Sequence, residues 1–488
     1  MTARAIVIVG AGPAGMSAAV TLAEAGLRAT VIDDNPRAGG QIYRQPAWKV
    51  EERSSVGGAS APNATPADRG ALLRERFERA AGKLEILSAA SAWGLFPPRT
   101  LAVSHGEGWQ LIEAGQLVLA CGAYEFVSPF PGWTLPGVLG GGGGGGGVKS
   151  QRVRPGKRVF LAGTGPFLLV VAHTLLAAGV EVVGVPETAR RRDVARQLPG
   201  LLAMPRLLAQ GSRYLRGLRR AGVPVHWGHV VTAADGKEAV EEVTFAPCDS
   251  AGRPDQRRQR SVAVDTLCVG YGFVPRIELH RLAGCEVVYD ELQGGWRPAL
   301  EDSMETSVEG VWTAGDCGGV AGAVAAELSG ELVGLGVARR LGAIDETLFR
   351  QRMAALQPQL ARVRRFAQAL NRAYLPPRRI TDIAQSETVV CRCEEITRGE
   401  IEAAVEHGGN SGRTIKVMTR LGMGPCQGRM CWPAASRMIA EMTGQGAGEI
   451  EPLSVRPPTT PVCLGDLMRP AQESRLTESP SPFPCCSN

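Results

Sequence analysis

The segment AIVIVGAGPAGMSAAVTLAEAGLRATVIDD, residues 5–34, decides the fold. It reads as a short buried strand, a glycine turn, a helical run and a second strand that ends at Asp33. In such a unit one glycine makes the tight turn, the next lets the backbone approach a pyrophosphate, and the last lets the helix pack closely on the strand. These three positions are Gly10, Gly12 and Gly15.

This unit is predicted to bind an adenine dinucleotide. The helix that begins around Pro13 and Ala14 offers free N–H groups and a partial positive charge to phosphates. Asp33 lies eighteen residues after Gly15, where an acid can bond ribose hydroxyls. The alternative interpretation is a glycine-rich turn that holds no ligand.

A second unit of the same kind begins at residue 157, with KRVFLAGTG, then PFLLVVAHTLLAAG, then VEVVGVPE. Its fingerprint is incomplete, because Gly163 and Gly165 are present but Leu168 takes the third glycine position. A leucine there would push the helix and strand apart or narrow the ligand groove. A nucleotide site of the NAD(P) type and a structural Rossmann domain that binds no nicotinamide both remain open.

Farther along the chain, SVEGVWTAGDCGG at 307–319 is a predicted strand that ends in Gly315 and Asp316 and precedes an alanine-rich helix. An acid at this place can bond flavin ribityl hydroxyls or reach a pyrophosphate through water. The alternative is that Asp316 only caps the helix.

Four cysteines near the C-terminus have the spacing of metal ligands. They read C-x-C, then thirty-two residues, then C-x4-C, and they are Cys391, Cys393, Cys426 and Cys431. Four thiolates in two tight pairs suit a [2Fe-2S] cluster or a tetrahedral zinc ion. Thr397 and Glu400 have capping-box spacing, which predicts that the first pair lies on a loop entering a short helix.

A run of eight glycines at 140–147 is unusual for any regular element. Each glycine costs ~1 kcal/mol relative to alanine in a helix. The run therefore predicts no stable helix, but a flexible stretch between the first domain and the inserted one.

Composition narrows the function classes. A chain of 488 residues should form more than one domain. The net charge of +6 with scattered arginines predicts no nucleic-acid partner. No apolar run reaches the ~18–20 residues of a membrane span, and the N-terminus enters a strand without a signal-peptide pattern. These features predict a cytoplasmic protein without a transmembrane segment.

Several segments together resemble a known family, the alpha (FAD/[2Fe-2S]) subunit of bacterial heteromeric amino-acid and opine dehydrogenases. This group includes the A subunit of opine oxidase, the B subunit of hydrogen cyanide synthase and the alpha subunits of proline and hydroxyproline dehydrogenases. The segments are GGQIYR (39–44), GAYEF…PFPGWTLPGV (122–138), GGW (294–296), AGD (314–316), CRCEE (391–395) and GMGPCQGRMC (422–431).

The resemblance implies an α/β fold with two nested Rossmann-like domains of the glutathione-reductase type, followed by a small helical BFD-like [2Fe-2S] domain. The expected boundaries are an FAD-binding domain at 1–135 and 280–345, an inserted NAD(P)-like domain at 150–279, a helical linker at 346–387, the [2Fe-2S] domain at 388–445 and a Pro/Ser-rich tail at 446–488. We expect this tail to be disordered.

The resemblance also implies cofactors and partners. FAD or another adenine nucleotide would lie on Gly10, Gly12, Gly15 and Asp33, with Gly40, Gln41, Gly315 and Asp316 along it, and the four cysteines would ligate the cluster. A separate FAD-bearing beta subunit would oxidise the amino acid or opine, and this chain would pass electrons to a quinone or another respiratory acceptor. A small ferredoxin-like subunit, an FMN at a subunit interface and a peripheral place at the inner membrane are further expectations.

Other functions account for less of the sequence. A dithiol flavoenzyme is disfavoured because no cysteine precedes Cys121. An NAD(P)H-driven reductase with the cluster as its electron outlet needs a working second fingerprint. An iron–sulfur sensing module would explain only residues 388–443. No side chain reads as a substrate base or nucleophile, so no catalytic residue is predicted.

Overall fold

The structure, a computed structural model, describes residues 2–46, 66–106 and 108–469. It confirms the expected α/β fold with two Rossmann-type sheets and a small helical module. Residues 47–70 are rich in Ser, Pro, Ala and Gly, which predicts a surface loop. Residues 47–65 lie outside the described residues, and 66–70 belong instead to the helix Pro66–Arg79.

The first domain is built on a largely parallel sheet. Its strand order is β3-β2-β1-β6-β5-β4, with one later strand paired to the other side of β6. The central strand β1 is buried at Ile6, Val7 and Ile8 because helices cover both faces of such a sheet. Its elements are β1 (Thr2–Val9), α1 (Pro13–Glu24), β2 (Ala29–Asp33), α2 (Pro66–Arg79), β3 (Leu84–Ser88), β4 (Ser91–Phe96), β5 (Thr100–His105) and β6 (Gly108–Leu119).

A second, five-stranded parallel sheet forms the inserted domain, in the order β11-β10-β9-β15-β8. A three-stranded antiparallel sheet, β12-β13-β14, packs beside it, and β7 pairs with β16 where the chain crosses between the domains. The elements are β7 (Ala123–Glu125), β8 (Val138–Gly140), α3 (Gly141–Gly146), β9 (Arg158–Gly163), α4 (Pro166–Ala177), β10 (Glu181–Glu187), α5 (Arg191–Arg196), α6 (Leu198–Leu201), α7 (Pro205–Arg220), β11 (Val225–Trp227), β12 (His229–Asp235), β13 (Glu242–Pro247), β14 (Arg260–Ala263), β15 (Thr266–Gly270) and β16 (Phe273–Pro275).

The glycine run contradicts our expectation. Gly141–Gly146 forms the helix α3, and the chain continues in one π turn to Gln151, so the prediction that Gly140–Gly147 forms no stable helix is wrong. The reason is tertiary packing: the Gly142 N–H donates to the Glu125 carboxylate at 3.0 Å, and a Cβ on Gly144 would lie 2.5 Å from the Cys268 sulfur. Packing against β15 therefore overrides the poor helix propensity of glycine.

The chain then returns to the first domain. One strand, β19, pairs with β6, and the helix α9 packs along α1. This is the arrangement expected of a discontinuous domain, although the boundaries themselves remain predictions. The returning elements are α8 (Glu278–Leu282), β17 (Val287–Asp290), β18 (Gly295–Pro298), β19 (Val311–Thr313) and α9 (Ala323–Arg340).

A long helix leads to the C-terminal module. This helix, α10 (Glu346–Ala373), starts at Asp345, whose carboxylate accepts the Leu348 N–H at 2.7 Å. The predicted capping box of Thr397 and Glu400 is present at the start of α11. The module contains β20 (Val389–Cys391), β21 (Ile396–Thr397), α11 (Arg398–Glu406), α12 (Gly412–Thr419) and α13 (Trp432–Thr443).

The tail differs from the prediction. Residues 446–469 are not a disordered tail but lie against the domains and include a short helix, α14 (Leu464–Leu467). Their backbone is tied down by hydrogen bonds, for example from the Thr459 N–H to the Trp93 carbonyl at 2.6 Å. Residues 470–488 lie outside the described part of the chain.

Among the helices that the structure describes, none has the length and apolar character needed to cross a bilayer.

Candidate cofactor sites

The residues of the first fingerprint meet at the start of α1. A Cβ on Gly15 would overlap with the carbonyl oxygen of Gly10, so only glycine allows this approach of helix and strand. Gly12 differs, because a Cβ there would find only the Cα of Gly40 within 4 Å, at 3.9 Å. The backbone in front of Gly12 thus leaves open space at a helix N-terminus, which suits a pyrophosphate.

Other predicted residues come to the same place from distant parts of the chain. A Cβ on Gly40 would lie 2.8 Å from the Cα of Gly12, and one on Gly315 would lie 2.9 Å from the Cβ of Ala14. Pro13 is the first residue of α1. Gln41 is exposed beside them and accepts a hydrogen bond from Arg44 at 2.7 Å. These contacts fit a dinucleotide, while the role of each residue remains a prediction.

The two predicted acids both bond to backbone N–H groups. Asp33 is buried at the end of β2, where its carboxylate accepts the N–H of Ala11 and that of Asn35, the latter at 2.7 Å. Asp316 accepts the N–H groups of Ala321 and Gly322, both at 3.0 Å, just before α9. Burial raises the pKa of each acid. Both N–H groups bonded to Asp316 precede Ala323, the first residue of α9, so Asp316 fixes the loop that leads to the helix and does not cap it.

The second unit repeats this arrangement through a residue that the sequence analysis did not single out. Glu187, the last residue of β10, is buried, and its carboxylate accepts the N–H groups of Gly165 at 2.9 Å and Ala189 at 2.8 Å. Burial raises its pKa to about 7. An acid at the end of the second Rossmann strand was the available signal.

The glycine loop of the second unit contacts the end of the long helix α10. Tyr374, which follows α10, accepts a hydrogen bond from the Thr164 hydroxyl on its carbonyl at 3.3 Å. Its Cβ lies 4.0 Å from the point where a Cβ on Gly165 would stand. Leu168 is buried in the core of the domain. The space in front of Gly165 is thus similar to that in front of Gly12, and the two units differ at the third glycine position, where Leu168 stands instead of a glycine.

The four predicted cysteine ligands lie together in the C-terminal module. The thiol of Cys431 donates hydrogen bonds to Cys391 and Cys426, and Cys426 in turn contacts Cys393. Cys391 and Cys431 are buried, whereas Cys393 is exposed. A Cβ on Gly424 would overlap with the Cβ of Cys393, so glycine is required where the two cysteine loops meet.

The donor set fits a two-iron cluster. Hydrogen bonds from Cys431 lower the pKa of Cys391 to about 6 and that of Cys426 to about 5, so these two thiolates form readily, whereas the same hydrogen bonds raise the pKa of Cys431 and burial raises that of Cys393. Within the described residues, no three or more His, Cys, Asp or Glu side chains surround a single point that could hold one metal ion. Four neighbouring thiols in two pairs are a donor set that can ligate two irons by pairs or one tetrahedral zinc ion.

Three arginines of the C-terminal module lie over aromatic rings of residues 123–133, the segment that follows β6 in the sequence. Each guanidinium carbon is within 6 Å of a ring centroid, the range of a cation–π contact. The pairs and distances are Arg392 over Trp133 at 5.3 Å, Arg429 over Tyr124 at 5.6 Å and Arg437 over Phe126 at 4.7 Å. The sequence analysis assigned no role to these six residues, although most lie inside the motifs it quoted.

Comparisons with known proteins agree with this geometry. Residues 4–334 match the pyridine nucleotide-disulphide oxidoreductase model, and residues 389–441 match the BFD-like [2Fe-2S] binding domain. The HcnB subunit of hydrogen cyanide synthase from Pseudomonas protegens is 36% identical over 442 residues, which cover 90% of this chain and 92% of that protein. The A subunit of opine oxidase from Rhizobium meliloti is 33% identical over 485 residues, which cover 97% and 89%.

A solved structure of L-proline dehydrogenase from P. horikoshii has the same fold, with a TM-score of 0.68 and 21% identity over 96% of this chain and 80% of that one. The family models and the two relatives together establish the cofactors as FAD and a [2Fe-2S] cluster. The chain belongs to the pyridine nucleotide-disulphide oxidoreductase family, in the group of FAD-dependent oxidoreductases that contains HcnB and the A subunit of opine oxidase.

Proposed function

We propose that this chain is the electron-transfer subunit of a heteromeric amino-acid or opine dehydrogenase. A partner subunit with its own FAD oxidises the substrate, and this chain passes the electrons through its FAD and its cluster to an acceptor such as the respiratory chain. The observation that carries the proposal is the pairing of an open dinucleotide site in front of Gly12 with four clustered cysteines on one polypeptide. The relatives named as subunits support the heteromeric assembly.

In this proposal, the residues of this chain bind and orient the cofactors. The α1 N-terminus and Gly12 would hold the pyrophosphate of FAD, and Asp33 its ribose. When bound, FAD supplies the two-electron chemistry and the cluster takes up single electrons. Cys393, the exposed ligand, gives the cluster one side from which an acceptor can be reached.

An NAD(P)H-driven reductase is the competing function. It needs a nucleotide on the second glycine loop, but Leu168 fills the third glycine position there and is buried in the core of the domain. This feature favours a partner subunit, rather than a nicotinamide, for the supply of electrons. Anaerobic addition of NADH or NADPH is expected to leave the flavin oxidised, and rapid bleaching of the flavin by either would reverse the preference.

The test is co-expression with the flavoprotein encoded beside the gene. We expect a stable complex in which an amino acid or opine reduces first flavin and then cluster, followed by absorbance and electron paramagnetic resonance. The purified single chain is expected to oxidise no such substrate with an artificial acceptor. Robust turnover by the chain alone would overturn the proposal.

A further inference from the structure

The three arginine–aromatic pairs Arg392/Trp133, Arg429/Tyr124 and Arg437/Phe126, here called the arginine clamp, join the cluster module to residues 123–133. The indole N–H of Trp133 also donates to the Val389 carbonyl at 2.5 Å, two residues before the first cysteine. All the rings come from one short segment and all the arginines from the module. The same kind of contact, an arginine over an aromatic ring, therefore occurs three times at this interface.

Each end of the clamp adjoins a cofactor site. On one side, the Ala120 N–H donates to the Val9 carbonyl at 2.9 Å, and a Cβ on Gly10 would overlap with the Ala120 carbonyl. The first glycine loop thus touches the chain four residues before Tyr124. On the other side, Arg392 separates Cys391 from Cys393, and Arg429 lies between Cys426 and Cys431.

The contact at Tyr124 is held from several directions. Arg276 lies over the same ring at 5.4 Å, and Arg429 approaches the Glu278 carboxylate at 3.7 Å. Arg429 is only 13% exposed, so its interactions are screened weakly by water. A planar guanidinium can stack on a ring and face a carboxylate at once, which a lysine ammonium cannot do.

We propose that the arginine clamp fixes the cysteine loops relative to the first dinucleotide site and thereby sets the rate of electron transfer between FAD and cluster. This inference rests on the proposed function. In the step concerned, the reduced flavin would give one electron to the oxidised cluster and release its proton to solvent; the cluster would pass that electron to the acceptor before it takes the second one from the flavin. Arg429 and Tyr124 act as positioning residues.

The experiment compares Arg429→Leu, Tyr124→Leu and Arg429→Lys with the parent chain. The matched control is Arg339→Leu. Arg339, in α9, also lies over an aromatic ring, that of Phe349 in α10 at 4.4 Å, and both residues are distant in the sequence from the four cysteine ligands. Three quantities are measured: FAD and iron content, amide exchange of residues 123–133 and 389–393, and the flavin-to-cluster electron-transfer rate after flash photoreduction of the flavin.

Both leucine variants are expected to keep FAD and iron. Their backbone amides should exchange faster in these two segments, and electron transfer from flavin to cluster should slow by a factor of about ten or more, since small misplacements of reacting groups have large rate effects. Arg429→Lys should fall between them and the parent, and the control should match the parent. Unchanged exchange, or faster exchange with an unchanged transfer rate, would overturn the clamp. A parent chain with a cluster and no flavin would instead refute the proposed function, and the exchange measurement would still decide whether the clamp exists.

Discussion

At the scale of single residues, two glycines of one fingerprint have opposite constraints. Gly15 has no room for a Cβ because the Gly10 carbonyl occupies that place, whereas Gly12 faces open space. The fold thus requires glycine at position 15, and we expect the ligand to require it at position 12. This difference gives a substitution that separates folding from cofactor binding.

We expect Gly12→Val to fold and to lose FAD, because its side chain would occupy the place of the pyrophosphate. Gly15→Val should instead fail to fold or lose several kcal/mol of stability through overlap with the backbone. Flavin content after gentle purification and the thermal transition are the measurements. Full FAD occupancy in Gly12→Val would place the nucleotide elsewhere.

A second residue-scale prediction concerns the metal. Cys426→Ser should remove the cluster, because this thiol contacts both Cys393 and Cys431 in the quartet. Cys463→Ser is the control, since Cys463 is exposed and is not one of the four predicted cluster ligands. Iron analysis and the visible absorption that exceeds that of the flavin are measured after anaerobic purification. Zinc without iron in the parent chain would contradict the cluster assignment.

A third residue-scale prediction concerns pH. His280 is fully buried, and burial lowers its pKa from 6.5 to about 3, while its Nε2 lies 3.0 Å from the Thr313 hydroxyl. In the unfolded chain His280 gains a proton near pH 6.5, but in the folded chain only near pH 3. The contribution of neutral His280 to the unfolding free energy is therefore complete above pH 6.5 and is lost as the pH falls towards 3.

His280→Gln removes this titration and keeps a hydrogen-bonding group. The fall in unfolding free energy between pH 7 and pH 4 should be smaller in the variant by on the order of 3 kcal/mol. Urea unfolding midpoints at both pH values measure this fall in free energy. The parent and the variant are compared at each pH, because the raised pKa values of Glu125 and Glu187 change the stability of both proteins in the opposite direction as the pH falls. An identical pH dependence would mean that His280 gains a proton in the folded state.

At the scale of elements, the helix α3 shows how packing selects a structure against propensity. Its glycines fall into two groups: a Cβ would meet the Cys268 sulfur at Gly144, but nothing within 4 Å at Gly143 and Gly146. The helix therefore has no room for a side chain at Gly144, towards β15, and little at Gly141, where a Cβ would lie 2.9 Å from the Glu125 carboxylate, whereas Gly143 and Gly146 have room.

Gly143→Ala and Gly146→Ala should each raise the unfolding free energy by ~0.5–1 kcal/mol, because alanine has the better helix propensity and restricts the unfolded chain. Gly144→Ala should lower it. The three thermal transitions are compared with that of the parent chain. A loss of stability at Gly143 or Gly146 would indicate that the helix is not the native state of this run.

The same element marks the limit of sequence reasoning here. The βαβ units and the cysteine pairs could be predicted because strand, glycine turn and ligand spacing are all local in the sequence. The helix α3 could not, because its reason lies in Cys268 and Glu125, which are distant in the sequence. The contact of Tyr374 with the second glycine loop and the clamp at Arg429 were missed for the same cause, since each joins residues more than 200 positions apart.

At the scale of the whole molecule, residues 446–469 tie the cluster module back to the first domain. The carbonyl of Leu453 accepts a hydrogen bond from Arg281, and that of Pro458 accepts one from Gln427, inside the second cysteine loop, at 2.5 Å. The Leu453 side chain covers this loop, since Cβ atoms on Gly422 and Gly428 would lie 2.5 and 2.8 Å from its Cδ1. Residues 446–469 thus cover the cluster site and connect it to the first domain.

Leu453→Ala should therefore make the cluster labile. The truncation opens a gap above both glycines, costs about 2–3 kcal/mol of local stability and lets water and oxygen reach the buried sulfurs of Cys391 and Cys431. The rate at which the cluster absorption bleaches in air is the measurement, with Leu464→Ala as control because Leu464 is 72% exposed. FAD content should not change in either variant, since neither leucine contacts the first glycine loop. Equal bleaching in both variants would mean that the side chain of Leu453 does not shield the cluster.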